Sequence, residues 1–171
     1  ETDISDVTFG VGTKFDLLGF KTDLSAMYGS NSVDYMIGNT LNPDLGAASP
    51  TIFNAGGYKF SNIVGNLDMS KTINQISIGL GMEVRQERFE AIAGEPDSYA
   101  GGGAQSFPGL QPSNAVNETR SNVGVYGTMD WDISDNFLIG GALRYENYSD
   151  FGSNNSWKIN SRYKFNEKTV I

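Results

Sequence analysis

Along most of this chain apolar and polar residues alternate with a period of two, and a helical period of 3.6 takes over nowhere. In "SWKINSRYKF", Trp157, Ile159, Tyr163 and Phe165 share a face with Ser161, against Lys158, Asn160, Arg162 and Lys164. In "QISIGLGMEVRQERF", Ile76, Ile78, Leu80, Met82 and Val84 oppose Ser77, Gly79, Gly81, Glu83, Arg85 and Glu87. "NVGVYGTMDWDI" sets Val123, Val125, Met129, Trp131 and Ile133 against Tyr126, Thr128, Asp130 and Asp132. Phe137, Ile139, Leu143 and Tyr145 then face one way, and Arg144 and Glu146 the other, beyond the small residues Gly140 and Ala142. Two earlier segments, Val7 to Leu17 and Phe20 to around Met36, follow the rule less tightly. The pattern predicts an all-β chain of seven strands with an eighth starting at Thr169.

The predicted connections alternate in length. Short ones sit at Leu18–Gly19, Lys71–Asn74, Ser134–Asn136 and Asn166–Lys168. Long ones, rich in Gly, Asn, Ser and Pro, run from Gly38 to Gly57 and from Ala93 to Glu118, with a shorter one at Ser149–Asn155. Such alternation describes antiparallel strands running up and down, with tight turns at one end and elaborated loops at the other. Outer-membrane barrels are built this way. Several strands exceed the roughly 9–11 residues that cross a bilayer as a tilted strand. Phe15, Phe20, Trp131, Phe137 and Phe165 gather near the short-turn ends, as an interfacial girdle would.

Composition narrows the chemistry. The chain of 171 residues has no cysteine and no histidine, which removes disulfides, thiolate metal sites and every Ser-His or Cys-His nucleophile. A net charge of −8 speaks against nucleic-acid binding, which needs a basic face. No apolar run approaches the ~18 residues of a membrane helix, so hydropathy alone suggests a soluble protein. That inference fails for barrels, whose lipid-facing residues alternate with polar ones. One face carries Glu83, Arg85, Glu87, Arg144, Glu146, Lys158 and Arg162 and needs water or matching charges; the other needs lipid or a second sheet. A soluble β-sandwich, of carbohydrate-binding type, is the alternative with one dry and one wet face.

Motifs with catalytic or metal spelling are weak. "DWDISDN" (Asp130 to Asn136) lacks the glycine a calcium loop needs at its sixth position, and Gly141 stands where its bidentate Glu belongs, so it reads as a turn. "GVGTK" (Gly10 to Lys14) lacks the spacing and the helix of a phosphate loop. Glu83 with Glu87 could be spelled as a glycosidase carboxylate pair, but lining a polar lumen is the simpler role. No cofactor and no catalytic residue is expected. The loop "EPDSYAGGGAQSFPGLQPSN" offers Tyr99 and Phe107 as stacking surfaces and Asp97, Gln105 and Gln111 as hydrogen-bonding groups, with Gly101 to Gly103 expected to give a lid its mobility.

Three runs carry a family resemblance: "IGNTLNPDLGAASPTIFNAGGYKFSNIVGNLDMSK", "GMEVRQERFEAIAGEPDSYAGGGAQSFPGLQPSN" and "GVYGTMDWDISDNFLIGGALRYENYSDFGSNNSWKINSRYKF". Together they resemble the barrel of TonB-dependent outer-membrane receptors, from about Gly19 onward. The most specific pieces are "LNPDLG" with "SPTIF", "GEPDSY" with "FPG", and "ALRYENYSDFGS". The resemblance implies a segment of about seven or eight strands from a barrel of about 22. It also implies a plug domain inside that barrel, TonB-driven import of a siderophore, cobalamin or oligosaccharide, and a bacterial outer-membrane location. On that reading residues 1–171 form part of a single barrel domain, with no plug and no TonB-contacting box among them. Glu83, Arg85, Glu87, Arg144, Glu146 and Arg162 then face the lumen and plug, and the outer face meets membrane lipid. A self-contained eight-stranded barrel with a structural or adhesive role is the competing arrangement, distinguished by pairing of the first strand with the last.

Overall fold

A computed structural model describes residues 1–166, Thr169 and Val170. Its strands are β1 (Thr2–Leu17), β2 (Phe20–Gly38), β3 (Ile52–Ile73), β4 (Ile76–Ala93), β5 (Val116–Ser134), β6 (Phe137–Tyr148), β7 (Gly152–Asn166) and the two-residue β8 (Thr169–Val170). They lie in sequence order in one open antiparallel sheet. A sandwich would need a second sheet, and a self-contained barrel would need β1 against β8. The described strands make neither. Lys168, assigned above to the last short connection, lies outside the described residues.

Tight turns carry the short connections. Leu18 and Gly19 both take positive φ (52° and 76°), the two-residue hairpin geometry whose twist matches that of its strands. Asn74 at φ 53° opens the β3–β4 turn.

The strands run deeper into the expected loops than composition suggests. β3 starts at Ile52, because the Gly-Gly pair read as loop is a place of close backbone approach. A side chain on Gly57 would press into the Val33 carbonyl, and Gly56 holds φ 90° against the backbone of Ile92 to Gly94. Likewise β7 begins at Gly152, with Gly152 opposite Tyr148 and Asn154 opposite Glu146, leaving only Ser149 to Phe151 as turn. The polar run Gly152–Asn155 reads as loop because it lacks apolar residues on either face.

The chain divides into two compact units. The first comprises Glu1–Phe9, Tyr28–Ile63 and Glu87–Thr119 and holds both long loops. Its buried residues include Phe53, Ala55, Ala91 and Ala104, with the polar Asn42 and Ser98.

The second unit comprises Gly10–Met27, Val64–Gln86 and Arg120–Ile171. Here the register of β5, β6 and β7 joins the alternating faces predicted for each strand. Gly127, Leu143 and Trp157 align across the three strands, as do Met129, Gly141 and Ile159. On the opposite face Tyr126, Arg144 and Ser156 align. Leu143, Trp157 and Ile159 are 69%, 73% and 71% exposed, a degree of apolar exposure that suits lipid. Phe137 and Tyr163 are direct partners with ring centroids 6.2 Å apart, a pairing worth about 0.2–1 kcal/mol.

Candidate functional site

In the first unit the two long loops are built around buried polar side chains. Asn42 precedes Pro43 and caps a short 3-10 segment (Pro43–Ala48), its side-chain oxygen accepting from the Asp44 amide at 3.1 Å. The Nδ2 of the same side chain, fully buried, donates to the carbonyls of Asp97 and Ala100 in the other loop, both at 2.9 Å. Asp44 Oδ2 in turn accepts from the Gly102 amide. The Gln105 amide donates to the Leu41 carbonyl at 3.0 Å, which completes a continuous seam between the loops.

Ser98 plays the matching part within the second loop. Buried on the helical turn Pro96–Tyr99, its carbonyl accepts from the amides of Ala104 and Gly109, each at 3.0 Å, so the loop folds back around it. The loop is fastened to the sheet by Leu110 N to Ala55 O at 2.9 Å and by an exchange between Asn54 and Glu95. Gly101 and Gly103 take φ 61° and 77°, and a side chain on Gly103 would collide with Pro108. Gly101 and Gly103 thus take backbone conformations that suit tight turns.

Against this scaffold stands a group of four rings. Tyr35 on β2 and Tyr58 on β3 meet edge to face at 6.3 Å. Tyr58 stacks on Phe89 of β4 at 6.1 Å and 18°. Phe107, from the second loop, leans on Tyr35 at 5.6 Å. Each such ring pair adds about 0.5–1.5 kcal/mol beyond burial. Yet Tyr58, Phe89 and Phe107 remain 38%, 44% and 39% exposed, so the group offers open ring surface. Phe89 falls on the odd positions of β4, the parity of Glu87 and not of the apolar residues.

Of the five loop residues expected to meet a ligand, Phe107 alone joins these rings. Tyr99 is half-buried on the helical turn; Asp97, Gln105 and Gln111 are exposed, the first two with backbone groups engaged in the loop seam. Tyr35, Tyr58 and Phe89 are not among the residues expected from sequence, since their meeting depends on the registers of β2, β3 and β4. One signal for them exists: Phe89 is an aromatic residue on the polar parity of its strand.

Charge is unevenly shared between the units. By sequence the first holds ten acidic and two basic residues, a net charge of −8, while the second holds ten of each. In the second unit the polar face largely satisfies itself. Arg144 reaches Glu146 at 2.9 Å and Glu83 at 3.7 Å, and Arg85 reaches Glu83 at 3.0 Å. Tyr148 donates to Glu146 at 3.2 Å, and Tyr126 donates to Asp68 across Gly81, where any side chain would overlap the Tyr126 ring. Arg162, expected from sequence to group with these charges, stands apart. It sits at the Leu138 level, 4.0 Å from Asp132, because the register carries it toward the tight-turn end. Glu87 shares the parity of Glu83 and Arg85 but belongs to the first unit. Asn122, buried opposite Tyr148, leaves its Nδ2 without a hydrogen-bond partner among the described residues.

A family model described as TonB dependent receptor-like, beta-barrel, matches residues 1–171. No curated protein matches the sequence. Among solved structures, a variant of the ferric enterobactin receptor PfeA from Pseudomonas aeruginosa superposes with a TM-score of 0.69 at 12% identity, covering 97% of this chain and 24% of that one. The siderophore receptor PirA from Acinetobacter baumannii gives a TM-score of 0.62 at 17% identity, again covering 97% of this chain and 24% of that one. This chain thus spans about a quarter of the length of those receptors, and at these identities the likeness is one of fold.

Proposed function

Since the chain belongs to the TonB-dependent receptor β-barrel family, we propose that it forms part of an outer-membrane receptor that captures a nutrient beside its long loops and imports it. The observation that carries this reading is the ring group Tyr35, Tyr58, Phe89 and Phe107, half open and backed by hydrogen-bonded loops. Open aromatic faces on a fixed scaffold suit a ligand with flat or ring-shaped faces, and a scaffold built before binding spares the entropy of ordering loops. The cargo is a scarce nutrient of siderophore, cobalamin or oligosaccharide type. Import draws its energy from the TonB complex through parts of the receptor other than these residues.

In this reading the wall acts by binding and has no catalytic role. The polar face bearing Glu83, Arg85, Arg144 and Glu146 looks toward a plug domain. The apolar face of Leu143, Trp157 and Ile159 meets the lipid of a bacterial outer membrane. Titrating the full-length receptor in detergent with candidate nutrients tests the assignment. Phe107→Ala should weaken binding of the cognate nutrient about tenfold, or ~1.4 kcal/mol. Equal affinities for wild type and Phe107→Ala would remove the ring group from the binding site.

A further inference from the structure

The two segments that build the ring group and its loops, residues 28–58 and 89–119, contain no lysine or arginine. Of the two basic residues in that unit, Arg88 is engaged by Glu90 at 3.3 Å and by Asn117 at 2.8 Å. Lys59 follows Tyr58 on β3, and successive strand residues point to opposite faces, so it is turned away from the rings. The acids nearby are partly committed to the backbone: Asp44 holds Gly102 and Glu95 holds Asn54. Asp97 remains exposed at the loop surface. Ring faces themselves carry the negative side of the aromatic quadrupole. Each electrostatic feature that these two segments bring to the rings therefore disfavours an anion.

From this, and resting on the nutrient-binding reading above, we infer that the ligand held at the ring group carries no net negative charge. It is an uncharged or cationic nutrient with flat or ring-shaped faces. A multiply anionic chelate would approach a unit with a net charge of −8 and find no cation at the rings. A cation would gain both from the field and from the ring faces.

The test titrates the full-length receptor in detergent with two ferric chelates of similar size, an uncharged tris-hydroxamate and a trianionic tris-catecholate, followed by fluorescence quenching. The hydroxamate complex should bind at least about tenfold more tightly. Raising salt from about 0.05 to 0.5 M should strengthen whatever catecholate binding exists, because screening relieves repulsion. Asp97→Lys should improve the catecholate affinity. Tighter binding of the catecholate, weakened by salt, would overturn the inference. Were Phe107→Ala then to reduce that binding, the nutrient site would stand and the charge argument alone would fall. Should Phe107→Ala alter neither affinity, the site itself is misplaced and the inference goes with it.

Discussion

Asn42 joins two loops through one amide, donating to backbone carbonyls 55 and 58 positions away while its oxygen caps its own segment. Removing it leaves two part-buried acceptors and one amide donor without this partner, and an unmade hydrogen bond, where fully buried, costs about 1–3 kcal/mol. Asn42→Ala should therefore loosen the second loop, read as faster amide hydrogen exchange across residues 94–115 of the full receptor. Asn42→Asp separates the two roles, because a carboxylate still caps Asp44 but donates nothing. Its exchange should match that of the alanine variant; wild-type protection in Asn42→Asp would mean that the cross-loop bonds do not hold the loops together. In the sequence the run "LNPDLG" stands out as a family-like stretch. Its work is not legible there, since the partners of Asn42 are backbone groups of a loop that shows no period.

At the level of strands, alternation tells which residues share a face but not which faces of neighbouring strands join. The β5–β6–β7 register supplies that link and agrees with the sequence: Leu143 aligns with Gly127 and Trp157, and Thr128 with Ala142 and Lys158. A single-residue slip would have turned every side chain of a strand to the other face. Arg in place of Leu143 or Ile159 should cost about 2–4 kcal/mol if these sit near the bilayer midplane. Arg at Thr128, on the polar face, should cost far less. Folding of the three receptor variants into lipid vesicles, titrated with urea, compares them, and equal penalties would sink the assignment of faces. The ring group is less legible for a related reason. Tyr35, Tyr58 and Phe89 lie on three strands, and only registers in space bring them together. Polarity misleads at Gly152–Asn155 as well, where a strand with no apolar face pairs fully with β6.

For the whole chain the decisive fact is that the sheet is open, with β1 and β8 at opposite ends of the strand order. β1 is exposed along its entire length, including Ile4, Val7, Phe9 and Val11 at 52–66%. An unpaired strand edge presents a row of backbone N–H and C=O groups, each costing several kcal/mol in hydrocarbon, where no water can satisfy them. Closing these strands on one another would not rescue them. A small barrel needs side chains that fill its interior. The polar face offers Gly79, Gly81 and Gly140 beside long charged residues such as Arg144 and Glu146, with little apolar volume. The chain expressed alone should therefore fail to form a compact, heat-resistant species in lipid vesicles. Its gel mobility in SDS should be the same before and after boiling, and added protease should digest it throughout. Within a full-length receptor the same strands should be protected, with cleavage between Gly94 and Asn117 from the outer surface of intact cells. A fast-migrating, protease-resistant band from residues 1–171 alone would show that β1 and the last strand can pair, and would restore the self-contained barrel.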